Sequence, residues 1–228
     1  MLVGRSPVWQ IFRQLFFHMR NLILLGGGGH ARSVIDVIES ASDYRIQGII
    51  DRKERVGHRV LNYSIVDSDE NIEKWVQSDQ DFLITVGQIE STAVRTRLDK
   101  QLSEAKGRLA TLTSPLARVS LYATVGEGAV VMHFALVNAN AQVGRNVIIN
   151  TRATVEHDAI VGDFSHISTG AILNGGVAVG QQVFIGSHAT IQQGIVVADN
   201  VIIGAHTYVN QDITEPGVYV GVPARRLR

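Results

Sequence analysis

The chain of 228 residues contains no cysteine. That absence excludes a disulfide scaffold, a thiolate nucleophile, Cys-ligated zinc and an acyl-cysteine intermediate, and it fits a reducing cytoplasm. An excess of one charge is missing too. Lys and Arg number 21 and Asp and Glu number 21, so the formal net charge is zero. A nucleic-acid binder needs a basic excess to neutralise phosphates, so that class is set aside. The apolar run from Val8 to Phe17 is too short to span a bilayer and is interrupted by Arg13, so stable membrane insertion is not expected. It also lacks the small-residue cleavage site of a signal peptide. Residues 1–18 read as a leader or added segment ahead of Met19, with an amphipathic anchor as the other reading. Charged residues make up only 18% against 45% hydrophobic ones, which allows a sizeable core and argues against global disorder.

What is plentiful is glycine, with 22 residues concentrated in particular segments. The apolar run Asn21 to Leu25 leads into Gly26-Gly27-Gly28-Gly29-His30. Ala31 to Ser40 follows with Val34, Ile35, Val37 and Ile38 on one face. This spells strand, glycine turn, helix. A second strand, Ile46 to Ile50, ends in Asp51. A third, Phe82 to Val86, ends in Gly87 and precedes a helix over Ser91 to Glu104. Strands alternating with helices predict a small parallel α/β sheet. Backbone N–H groups at a strand–glycine–helix junction suit a diphosphate, and Asp51 can accept from a ribose or a base. A plain βα turn is the alternative. The sixth position from Gly26 is Ala31, a departure from G-x-G-x-x-G, and the segment is short for a dinucleotide fold, so NAD is poorly supported.

After Ser114-Pro115 a different rule governs the chain. Aliphatic residues recur every six positions from Val119 through Val125, Val131 and Val137 to Ile203 and Val209, sixteen in succession without a slip. Small residues follow four positions later, as at Ala123, Ala129, Ala135 and Ala141, and Gly often comes directly after the aliphatic, as at Gly126, Gly144 and Gly162. Six is no helical period. A short fixed repeat buries each side chain only by stacking on its neighbours, so three hexapeptides form one triangular coil and sixteen give about five coils of parallel β-helix. The small residue fits the inner corner, and the glycine is expected to serve the turn geometry.

No G-x-S-x-G elbow, H-E-x-x-H or lysine-bearing P-loop is present. The repeat instead carries His133, His157, His166, His188 and His206. Acyl transfer from a thioester needs a base for the attacking amine or hydroxyl, and imidazole titrates in the right range. His157 lies in Glu156-His157-Asp158, between the inward positions Val155 and Ala159, and so belongs on the surface; a solvated histidine beside two charges is the plain alternative. His166 alone reads as a surface turn residue. His188 and His206 are one coil apart and should stack. The third position of that column is Gly170, which cannot ligate, so a structural or interface role is preferred to zinc. His133 is left without a role.

With its GGGGHARSVIDVI, TVEHDAIVGDFSHISTGA and GVYVGVPARRL segments, the chain from Met19 onward resembles the NeuD/PglD-type sugar acetyltransferases of the hexapeptide-repeat acyltransferases. The resemblance implies a Rossmann-like nucleotide-sugar domain over residues 19–113 and a left-handed β-helix with a C-terminal tail over 114–228. It implies His157 as the base with Asp158 as its carboxylate, where some relatives have Glu. It places acetyl-CoA against His166, Ser187 and Ala205, and the nucleotide-sugar against Gly28, Gly29, His30, Asp51, Arg52, Gly87 and Asn150. A homotrimer, no metal and direct N-acetylation of a nucleotide-linked amino-deoxy sugar for bacterial surface-glycan or glycoprotein assembly complete the expectation. Sugar O-acetylation of the sialic acid type and a non-catalytic trimeric scaffold are the alternatives.

Overall fold

The computed structural model describes residues 19–41, 43–76 and 79–227; the segment read as a leader lies outside them. The amino-terminal domain opens with β1 (Arg20–Leu25), α1 (Gly29–Ala41) and β2 (Tyr44–Asp51). It continues through β3 (Arg59–Val60), β4 (Tyr63–Ser68), α2 (Ile72–Val76), β5 (Asp81–Ile84), α3 (Ala93–Glu104) and β6 (Arg108–Leu109). The sheet order is β3-β4-β2-β1-β5-β6, with β1 central and parallel to both β2 and β5. Its unbroken apolar run follows from burial on both faces. Leu22 and Leu24 pack with Val34, Ile35 and Ile38 of α1, whereas Ile23 and Leu25 pack with Phe82, Leu98 and Leu102.

Three expectations shift in detail. The sheet is not wholly parallel, because β3 and β4 form an antiparallel hairpin at its edge. The first helix takes in Gly29 and His30, and the later one begins at Ala93 with Ser91 and Thr92 outside it. β5 ends at Ile84, freeing Val86 and Gly87 to turn toward the glycine loop.

From Leu112 the chain winds into a left-handed parallel β-helix with three sheets. The first face starts at Leu112–Thr113, the second at Arg118–Val119 and the third at Thr124–Val125. Each strand pairs with the strand one coil on, as Val131 with Ile149, Val137 with Val155 and Val143 with Val161. The six-residue aliphatics from Val131 onward are buried inside the coils. One expectation fails here. The left-handed turn conformation falls on the third residue after the aliphatic, as at Asn140, Asp158, His188 and His206. The glycines directly after the aliphatic answer a different demand: a Cβ on Gly126 would stand 2.6 Å from the carbonyl carbon of Gly144 in the next coil. Close stacking of backbones selects them.

The two domains are locked together. Val130 and Met132 on the first face share a core with α1. Arg95, 1% exposed, donates to the carbonyls of Ile84 (3.0 Å) and Val86 (2.6 Å) and, across the boundary, to that of Asn146 (2.8 Å). Burial lowers its pKa to about 10, so the guanidinium stays charged at neutral pH. Arg145 pairs with Asp99 at 2.9 Å. Among the described residues the interdomain side-chain bonds fall on the first face, on the corner after it and on the corner before it. The corner between the second and third faces is left free of them.

Candidate active site

Three polar features stand out, and they occupy different places. On the free corner, His157 follows Val155 by two positions, which turns its side chain outward; it is 57% exposed. Its Nδ1–H donates to Oδ2 of Asp158 at 2.8 Å, leaving Nε2 bare. The other Asp158 oxygen accepts from Asn140 Nδ2 at 2.7 Å. These hydrogen bonds, Asn140 first and His157 second, hold the Asp158 carboxyl below the ordinary carboxylate range. The imidazole lies over Gly175, where a Cβ would come within 2.6 Å of Cε1 and Nε2. The arrangement is an oriented, solvent-facing base with a charged partner.

The second feature is a cavity of about 490 Å³ between the domains, lined by Gly29, His30 and Ser33 of α1, the 87–89 loop and Asn150, Thr151, His166 and Thr169 of the β-helix. His166 is in a strand, His166–Ile167, and is 7% exposed because the amino-terminal domain covers the first face; it is not a surface turn residue. Its Nδ1–H donates to the carbonyl of Gln88 (2.8 Å), and its Nε2 meets Asn150 Nδ2 (3.0 Å). Burial pushes the His166 pKa down to about 4 and that of His30 to about 3, with the Arg95 charge adding to both. Both rings are therefore neutral near pH 7. The His30 Nε2 is buried without a partner.

The third is a crevice of about 300 Å³ at the carboxyl ends of β1, β2 and β5, where the strand order reverses on either side of β1. Ligands of open α/β sheets bind at such switch points. Gly28, Asp51, Arg52, Arg55, Gly87 and Arg97 line it. The Asp51 carboxylate is already engaged. Oδ2 accepts from Gly27 N (2.8 Å) and from Arg55 (2.5 Å), and Oδ1 accepts from Arg52 N (2.7 Å). It braces the glycine turn with three of its four lone pairs, and one lone pair on Oδ1 is left for a ligand. Gly28 and Gly29 have open space where a Cβ would project.

Gly87 borders both the cavity and the crevice, whereas His157 and Asp158 line neither. Ser187 and Ala205 sit on the corner between the first and second faces, with Ser187 Oγ 3.1 Å from Ser168 Oγ. Beside them the rings of His188 and His206 stack at 5.2 Å and 14°. No cluster of three metal-ligating side chains occurs among the described residues. Gln88, Arg95 and Gly175 were not expected. Gln88 directly follows the expected Gly87, which was its only signal. Arg95 looks like a surface helix residue until the second domain covers it, and Gly175 differs from a turn glycine only in what lies above it.

Residues 21–102 match the PglD N-terminal domain family. The acetyltransferase domain of PglB from Neisseria gonorrhoeae FA1090 superimposes with a TM-score of 0.84 at 30% identity, covering 91% of this chain and 100% of that one. The same domain is also known in complex with acetyl coenzyme A. PerB from Caulobacter crescentus, solved with CoA and GDP-perosamine, gives 0.84 at 28% identity, covering 90% of this chain and 96% of that one. The UDP-N-acetylbacillosamine N-acetyltransferase of Bacillus subtilis (strain 168) is 32% identical over 116 residues, 50% of this chain and 52% of the relative, so that match spans about half the relative's length. The chain belongs to the hexapeptide-repeat acetyltransferase superfamily, in its PglD-type branch. It is an acetyltransferase built from an amino-terminal α/β domain and a β-helix.

Proposed function

We propose that the chain transfers the acetyl group of acetyl-CoA directly to the amino group of a nucleotide-linked amino-deoxy sugar. Acetyl-CoA is the cosubstrate in this reading, and the proposed reaction needs no metal. The relatives' ligands support this reading: acetyl coenzyme A with the PglB domain, CoA and GDP-perosamine with PerB. In the proposed reaction the sugar nitrogen attacks the thioester carbonyl carbon, the C–N bond forms, and the C–S bond breaks to release CoA. His157 Nε2 takes the amine proton, and Asp158 stabilises the imidazolium. The absence of cysteine from the chain removes an acyl-cysteine route. We place the nucleotide and diphosphate in the crevice at Gly28 and Arg52, and the sugar in the cavity beside His30, Gly87 and Asn150. Ser187 and Ala205 line the groove for pantetheine.

The observation that carries the proposal is the separation of its parts. The free corner holds an oriented, exposed imidazole, and neither it nor Asp158 lines the cavity or the crevice. A cyclic homotrimer, in which one protomer's free corner meets the cavity of the next, brings them together. The reaction belongs in the cytoplasm, where acetyl-CoA and nucleotide-sugars coexist, and its product suits surface-glycan or glycoprotein assembly. Thiol release from acetyl-CoA, assayed with a panel of UDP-, dTDP- and GDP-linked amino sugars, tests the reading. Turnover with an amino sugar, and none with the matching hydroxyl sugar, is expected. Turnover with hydroxyl sugars alone would make the enzyme an O-acetyltransferase, and no turnover with either would remove the activity.

A further inference from the structure

The buried His166 lies between two fixed groups whose chemistry leaves it little choice. The Gln88 partner is a main-chain carbonyl, which can only accept, so Nδ1 carries the hydrogen. Asn150 is equally constrained. Its Oδ1 accepts from Thr151 N at 2.8 Å, so the atom 3.0 Å from His166 Nε2 is the amide nitrogen, a donor. Both ends of the imidazole require one neutral tautomer, with Nδ1 protonated and Nε2 accepting. A ring so engaged has no hydrogen to offer a ligand. The amide of Asn150, by contrast, has two hydrogens and spends one on His166. Asn150 and His166 both border the interdomain cavity.

We propose that His166 is a positioning residue: it reads the Gln88 carbonyl of the nucleotide-binding domain and thereby aims the second amide N–H of Asn150 at a ligand oxygen in the cavity. The chain Gln88–His166–Asn150 crosses the domain boundary. It ties the loop that borders the nucleotide crevice to the donor that meets the sugar or the acyl group. The inference rests on the reading of the cavity as the place where those groups meet. Burial opposes protonation of the ring, the Gln88 hydrogen bond favours it, and the Arg95 charge opposes it; His30 is the neighbouring titratable ring, 6.4 Å away. The T-shaped contact with Phe184, at 5.2 Å, fixes the ring plane.

Two measurements on the full chain test this. The first is the nitrogen-detected tautomer of His166 in labelled protein near pH 7, identified by the signal lost in His166→Phe. Protonation on Nδ1 alone is expected, and a hydrogen on Nε2 would overturn the proposal. The second is a double-mutant cycle. His166→Phe keeps the packing on Phe184 and should lower kcat/KM about thirtyfold, as should Asn150→Ala, the scale of a buried hydrogen bond lost with its partner stranded. The double variant should be no slower than either single one. His166→Gln, whose amide can accept from Asn150 and donate to Gln88, should recover part of the loss. A double variant showing the product of both losses would mean that His166 and Asn150 act independently, and would overturn the proposal. The tautomer is read without turnover, so a hydrogen on Nε2 would overturn the proposal whether or not acetyl transfer is found, and a failure of the functional reading alone would leave the Nδ1 tautomer in place.

Discussion

The β-helix handles histidine in two opposite ways. On the free corner His157 is exposed and bonded to a carboxylate. On the first face His166 is buried and bonded to a carbonyl and an amide, an environment that tolerates only the neutral ring. Position in the repeat does not by itself explain the contrast. His166 directly precedes the inward Ile167 and so points outward from its strand, where a bare β-helix would leave it wet. The amino-terminal domain makes the difference by covering that face. The proposed proton transfer thus lies on the uncovered corner, and the proposed positioning role beneath the second domain.

The largest effect should come from removing the exposed ring. His157→Ala is expected to lower kcat about a hundredfold or more, with little change in the KM for acetyl-CoA, as steady-state kinetics will report. A variant that keeps wild-type kcat in a folded oligomer would leave the deprotonation to the substrate amine. Asp158→Asn should cost less, about tenfold, because the ring stays in place and loses only its charged partner. Gly175→Ala tests the same corner from beneath. The backbone there does not need glycine, yet the added methyl would stand 2.6 Å from the ring. We expect kcat to fall while the melting temperature barely moves, whereas unchanged kcat would mean that the ring position is immaterial.

The covered histidines make a prediction about acid. Their folded pKa values, about 4 and about 3, lie below the ordinary value of 6.5, so the unfolded chain binds more protons at low pH. Stability from this source is complete above about pH 6.5 and falls as the pH drops toward 4 and then 3, by several kcal/mol in all. Denaturant titrations between pH 7 and 4 should show the loss, and His166→Phe should flatten part of it. A wild-type stability independent of pH over that range would contradict the neutral, buried rings. The smallest effect is expected at the crevice. Asp51→Ala frees Gly27 N and Arg55, and should raise the nucleotide-sugar KM several-fold while leaving that of acetyl-CoA nearly unchanged.

Much of the fold was legible because a β-helix writes its inside into the sequence. The aliphatics from Val131 to Val209 named the buried positions, and Val155 and Ala159 placed His157 outside. The same repeat says nothing about which outer face a second domain will cover, so His166 read as a surface residue and Arg95 drew no attention. The glycines after the aliphatics were misread for a related reason. A turn glycine and a stacking glycine look alike in sequence, and only the 2.6 Å at which a Cβ on Gly126 would meet the Gly144 carbonyl carbon separates them. In the amino-terminal domain the β1–α1 junction was clear from its glycine run and apolar face. The short β3, β4, α2 and β6 carry too few residues to show a period.

The central claim is that a complete site needs His157 from one protomer and the cavity from another. Co-expression of two impaired chains, one carrying His157→Ala and the other Asn150→Ala, tests it most directly. If the parts come from neighbouring protomers, random mixing leaves about a quarter of the sites with both groups intact, and acetyl transfer should return to roughly that share of wild type. If each chain holds its own site, every site in the mixture carries one defect. Activity no greater than that of the two parents would then contradict the account.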